Sequence, residues 1–205
     1  MAFDNDLIAG KLRRWEKYLQ DYSLPAWKEL PDLGLYMEQV TALLKTYLDY
    51  LPPELKGDEV ITSAAINNYV RTGIMPKPEK KKYYRKHIAY LVMICTLKES
   101  LSMSMIRLFI PQDFDDIETL ETFYDAYVKR HRQTVLYFAS EVRKTAGKIL
   151  KHKDTSPIAC ESTEEMITSS AVVSGFASLF AEKLLLLSDH TLADGDDIRI
   201  VERRR

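Results

Sequence analysis

With 205 residues, 46% of them hydrophobic and 29% charged, the chain is long enough to bury a substantial core without covalent staples. Its formal net charge of -1 excludes a polycation, so any affinity for nucleic acid must come from a local patch. Two cysteines, Cys95 and Cys160, make no disulfide framework and lack the paired spacing of a zinc site, which points to a reducing cytoplasm.

The first residues, Met1-Ala2-Phe3-Asp4, lack the basic start and apolar run of a secretory signal, so no export is expected. Helical periodicity then dominates. A helix is expected from Asp6 to about Tyr22, with Leu12, Trp15, Leu19 and Tyr22 on one stripe, closed off by Pro25 and Pro31. A second, about Leu35 to Leu51, carries Val40, Leu43, Leu44, Tyr47, Leu48 and Leu51 and stops at Pro52-Pro53. After a linker over 54–59, Thr62 and Ser63 offer N-cap oxygens to a short helix, and Gly73 suits the left-handed turn that would end it. Pro76 and Pro78 bar further helix and predict a hairpin-like loop, a wing, in which Lys80, Lys81 and Lys82 project into water before Tyr83 and Tyr84 return to the core.

From Arg85 the helical period resumes with Ile88, Leu91, Val92 and Cys95, and Ser102 to Ser104 start a shorter helix through Ile106 and Phe109, ended by Pro111. Two long helices, about Asp116 to Lys153 and Thr163 to Asp189, are expected to pair antiparallel across a short loop. The uncharged run from Met166 to Ala181 falls short of the roughly 20 apolar residues that a bilayer needs, so it reads as a buried helix and not a membrane span. The expected fold class is all-α: a winged helix-turn-helix module embedded in a helical protein, with a C-terminal antiparallel helix pair. The expected units are an N-terminal helix and linker over 1–30, the winged module over 31–111, a helical hairpin over 112–190 and a disordered charged tail over 191–205.

Charge is unevenly spread. Between Arg71 and Lys86 seven Lys or Arg accompany the single Glu79, whereas the next element opens with Asp113, Asp115, Asp116, Glu118 and Glu121. On the short helix, Ala65, Ile66, Tyr69 and Val70 share the apolar side, which leaves Ser63, Asn67 and Arg71 in line opposite, with Asn68 beside them. An Asn amide matches the N6 and N7 edge of adenine, and an Arg guanidinium forks onto guanine O6 and N7. Lys77, Lys80, Lys81 and Lys82, with Tyr83 and Arg85, complete the candidate site for double-stranded DNA, the lysines neutralising phosphates without sequence preference.

This stretch resembles the mercury-resistance-regulator (MerR) type of winged helix. Tyr69, Gly73 and Ile74 match that family's helix end, Lys81 and Tyr83 stand at its Arg-x-Tyr, and Ile88 and Leu91 keep the following spacing. Ser102, Met103 and Ile106 match its last turn, with Ser100 where Gly is usual. Asn67 and Asn68 stand where that family has Arg-Tyr, so its phosphate contacts do not carry over. More of the chain, roughly Leu30 to Ile110, is similar to a small bacterial family, domain of unknown function 1836 (YkrK-like), through Leu30-Pro-Asp-Leu-x-Leu-Tyr-Met, Ile66-Asn-Asn-Tyr-Val and Pro76-Lys-Pro-Glu-Lys-Lys. The resemblance implies a helical protein with a MerR-like module.

Other candidates are weaker. His87, His131 and His152 each lie beside basic residues and form no ligand set, so no metal or cofactor is expected. Cys95 reads as core filling, and Cys160, in a polar loop, as the better candidate for a reactive thiol. Asp115-Asp116 and Glu164-Glu165 are adjacent carboxylates suited to helix N-termini, and with no phosphate loop or nucleophile elbow no enzyme is expected. The expected function is a cytoplasmic DNA-binding transcriptional regulator acting as a homodimer. The alternative is a non-catalytic protein-interaction module of winged-helix shape, and a small-molecule effector site among Tyr127, Phe176 and Phe180 is a third reading.

Overall fold

In the computed structural model, which describes residues 5–49, 61–151, 153, 156, 158–163, 165–166, 170, 173–174 and 177–178, the chain is helical. The described elements are α1 (Asn5–Asp21), a 3-10 turn (Trp27–Glu29), α2 (Met37–Tyr47), α3 (Ser63–Arg71), α4 (Arg85–Leu97), α5 (Met103–Phe109), α6 (Ile117–Thr145) and α7 (Gly147–Leu150). Among the described residues there is no strand, only two isolated antiparallel bridges, Leu35 with Tyr83 and Glu79 with Lys82. The all-α expectation is met.

The centre of the molecule is α4. Its residues His87 to Cys95 are all buried, which is what an unbroken apolar run gives when neighbours cover every side of a helix. Both α2 and α6 pack on it, while α3 packs on α2. One core cluster joins Val40, Leu44 and Leu48 of the α2 region, Ile66 and Tyr69 of α3, Ile106 of α5, and Leu120 and Tyr124 of α6. The helical period read through Ile88, Leu91, Val92 and Cys95 therefore covers only part of what α4 buries. Tyr90 and Met93, outside that set, are fully buried too.

Caps delimit the elements as their residue types require. Thr62 is the N-cap of α3, its hydroxyl accepting from the Ala65 amide at 3.0 Å, so Ser63 is the first helical residue and not a second cap. Ser102 accepts from the Met105 amide at 3.4 Å, and Asp116 from the Thr119 amide at 3.0 Å. Asp116 thus takes the helix N-terminal role expected of it.

The long helix expected to reach Lys153 stops earlier. α6 ends at Thr145, Ala146 leaves helical geometry, α7 follows, and Lys151 closes it in a left-handed conformation. Gly147, a poor helix former, sits at the break. α1 packs along α6 and α7. Arg132 of α6 donates to the carbonyls of Leu19 at 2.7 Å, Tyr22 at 2.6 Å and Gln20, covering the C-terminal end of α1. Arg13 of α1 donates in turn to the Leu150 carbonyl at 3.0 Å, at the end of α7. The second member of the expected helix pair falls largely outside the described residues, as do Ala171, Gly175, Phe176, Phe180 and the tail. Those described between 163 and 178 are helical. No described helix is long and apolar enough to cross a membrane.

Candidate nucleic-acid interface

α3 buries Ile66 and Tyr69 and turns Ser63, Asn67, Asn68 and Arg71 to solvent, the division that its sequence spacing predicts. Its C-terminal end is closed by Gly73, at φ +70°, with Gly73 N–H donating to the Val70 carbonyl at 3.2 Å and Ile74 N–H to the Tyr69 carbonyl at 3.1 Å. That paired pattern is a Schellman motif, sealed by the buried side chains of Tyr69 and Ile74. Arg71 does not stand alone: its Nη2 donates to Asn68 Oδ1 at 2.7 Å. Arg107 of α5 donates to the Thr72 carbonyl at 3.2 Å, which adds a second guanidinium at the same end of α3. Arg107 carries no signal in the sequence, because nothing local brings α5 against residue 72.

The loop after α3 folds back as a tight hairpin. Glu79 and Lys82 exchange backbone hydrogen bonds of 3.0 and 2.9 Å, and the two residues between them, Lys80 and Lys81, have φ of 48° and 65°. Two consecutive left-handed residues make a type I′ turn, usually the place of Asn-Gly, so the exposed tip carries lysines in a strained backbone. Tyr83 pairs with Leu35 through two 2.8 Å backbone bonds, which fixes the hairpin to the segment before α2. Gly34 permits that approach: a Cβ there would lie 2.7 Å from Lys82 Cδ and 3.0 Å from Tyr84 Cζ.

These contacts divide the candidate residues. Lys77, Lys80 and Lys81 are exposed. Lys82, expected to project into water, is half-buried, its ammonium 5.5 Å from the Tyr36 ring centroid. Tyr83 is buried, 3% exposed, against His87 at 5.6 Å between ring centroids. Arg85 donates from Nε to the Leu30 carbonyl at 3.0 Å, lies 3.6 Å from Asp32 and sits over Trp27, so it is a bolt between α4 and the chain before α2. Lys86 pairs with Glu79 at 3.1 Å. The basic stretch is thus less free than its composition suggests.

His87 locks the hairpin to α4. Its Nδ1 accepts from the Tyr84 amide at 2.9 Å, which leaves the ring proton on Nε2 to donate to the Lys77 carbonyl at 3.0 Å. The imidazole has no exposure, and burial holds its pKa below the ordinary value. It is a structural histidine, a role its sequence setting beside Lys86 did not announce. Cys95 is buried, its thiol pushed up to about 12 by that burial. Cys160, expected in a polar loop, is also buried, its thiol 3.4 Å from the Ile158 carbonyl, so it lacks the access that a reactive thiol requires. His152 and Glu164 lie outside the described residues.

The family described as domain of unknown function (DUF1836) matches residues 25–128, half of the chain, and so runs from the 3-10 turn through α2 to α5 and the hairpin into the first part of α6. No curated protein and no solved structure matches the chain.

Proposed function

The chain belongs to the DUF1836 family, and from that premise we propose that it is a cytoplasmic, non-catalytic DNA-binding regulator of transcription, built on a MerR-like winged helix-turn-helix. α2 and α3 form the helix pair, the Glu79–Lys82 hairpin is the wing, and α3 enters the major groove. The observation that carries this reading is the outward face of α3, where Ser63, Asn67, Asn68 and Arg71 are all exposed on a short capped helix followed by a hairpin tipped with two lysines. The side chains of Asn67, Asn68 and Arg71 face the bases; Lys77, Lys80 and Lys81 meet phosphates. Tyr83, Arg85 and Lys82 serve the hairpin's seating and are left out of the contact surface.

The test is selection of bound duplexes from a random pool at two salt concentrations. An enriched sequence in both supports the reading, and replacing Lys77, Lys80 and Lys81 by Ala should lower the salt slope by about 0.9 for each phosphate that a lysine no longer neutralises. A salt slope unchanged by that triple substitution removes the lysines from the interface. Binding to no duplex sinks the proposal.

Dimerisation belongs to the same reading. The second half of α6 leaves the neighbouring side chains of Leu136 and Tyr137 exposed, apolar surface suited to a second copy. The adjoining groove, lined by Tyr137, Phe138, Val142, Ile158 and Met166, holds about 190 Å³, less than the roughly 300 Å³ at which ligand pockets begin, so it favours packing over an effector site. Sedimentation at micromolar concentration, with Tyr137→Glu as the disrupting variant, decides it.

A further inference from the structure

The 2.7 Å bond from Arg71 Nη2 to Asn68 Oδ1 separates two exposed asparagines that look alike in the sequence. An amide reads adenine by presenting its oxygen to N6 and its nitrogen to N7 together. Asn68 has turned its oxygen along the helix to Arg71, so what it offers outward is the donating Nδ2 alone. Arg71, with one of its five N–H donors held by Asn68, keeps four for a ligand, in a guanidinium plane fixed by the bond. The pair is therefore an array of donors. The base edge that presents two acceptors and no donor in the major groove is guanine, through O6 and N7, whereas thymine offers O4 alone.

Asn67 differs. No hydrogen bond among the described residues engages its side chain, and it is exposed, so both ends of its amide remain for adenine. Asn67 and Arg71 are one helical turn apart, about 6 Å between their Cβ atoms. Base pairs rise about 3.4 Å along each strand, so the two would address positions one or two base pairs apart.

Resting on the DNA-reading role of α3, we propose that Arg71 selects a guanine, that Asn68 is a positioning residue for Arg71 and reads no base, and that Asn67 selects an adenine one or two base pairs away. Duplexes selected by the full-length protein are compared with those selected by Asn67→Ala, Asn68→Ala, Asn68→Asp and Arg71→Ala, with melting curves for each. The wild-type motif should hold the guanine and the adenine. Arg71→Ala should abolish the guanine preference and Asn68→Ala weaken it by about tenfold, whereas Asn68→Asp, which keeps the acceptor for Arg71, should retain it. Asn67→Ala should lose the adenine alone.

The carboxylate variant separates the two possible roles of Asn68. A base-reading Asn68 would lose its adenine in Asn68→Asp, because a carboxylate cannot donate to N7. Loss of an adenine in that variant, or a guanine preference that falls equally in Asn68→Ala and Asn68→Asp, overturns the proposal and leaves DNA reading intact. A motif with no guanine does the same. Binding to every duplex without enrichment overturns it as well, and absence of any binding overturns the regulator reading with it.

Discussion

A buried imidazole that accepts one backbone hydrogen bond and donates another can do both only while neutral. In His87 the Tyr84 amide and the Lys77 carbonyl impose that state, and burial lowers the pKa below the ordinary value near 6.5. The unfolded chain therefore binds the proton first as pH falls. Stability from this residue is complete above about pH 6.5 and is lost progressively below it, at up to about 1.4 kcal/mol for each unit of pKa difference. His131, half-buried between the rings of Tyr22 and Tyr127, is lowered by burial too and contributes in the same direction. Urea midpoints taken from pH 7.5 to 5.5 should fall for the wild type and fall less steeply for His87→Gln, which retains an acceptor for the Tyr84 amide. Parallel slopes would show that His87 is not the group responsible. Asp116, whose pKa is lowered by its Thr119 hydrogen bonds, titrates below that window and does not confuse it.

At the scale of elements the hairpin tip holds a conflict between fold and surface. Lys80 and Lys81 each occupy a left-handed conformation that costs a side-chain-bearing residue about 1 kcal/mol or more. Lys80→Asn with Lys81→Gly suits a type I′ turn, and should raise stability by about 1–2 kcal/mol while weakening DNA affinity through the removal of two lysines. Chemical denaturation and binding at two salt concentrations read the two effects separately, and a variant that gained stability with unchanged binding would remove the tip from the interface. Local signals made much of this region legible: the Thr62 cap, the Gly73 turn, the paired prolines and the polar face of α3 all act within a few residues. What escaped depends on distant partners. Arg85 looks like a surface cation until Leu30, Asp32 and Trp27 are brought beside it, and Tyr83, legible as the residue that returns the chain to the core, gives no local sign that Leu35 is its partner. The close of α6 at Thr145 was hidden because a favourable helical stripe continues through Ile149, although the backbone breaks at Ala146.

At the scale of the whole molecule, the described residues form two unequal cores. The larger surrounds α4 and draws on residues from Leu24 to Tyr124, nearly the same span as the family match; the smaller joins Ala9 of α1 to Ala146, Ile149 and Leu150. Apolar burial supplies most of the resistance to opening, so the two should open at different free energies. Polar tethers carry more of the load where burial is slight: α1 is held to α6 and α7 by Arg132, by Arg13 and by the 3.6 Å pair of Arg143 with Glu16. Native-state hydrogen exchange should find the amides of α4 exchanging only through global unfolding, and those of α1 and α7 through a smaller opening that leaves α4 protected. Arg132→Ala withdraws a charged donor from the three carbonyls at the end of α1, and should lower the free energy of that smaller opening by about 2–3 kcal/mol. Protection in α4 should stay the same, which keeps the module around α4 folded in this variant. If α1 and α4 instead exchange at one free energy, and Arg132→Ala lowers both together, the two cores form one cooperative unit and the match boundary near residue 25 marks no physical seam.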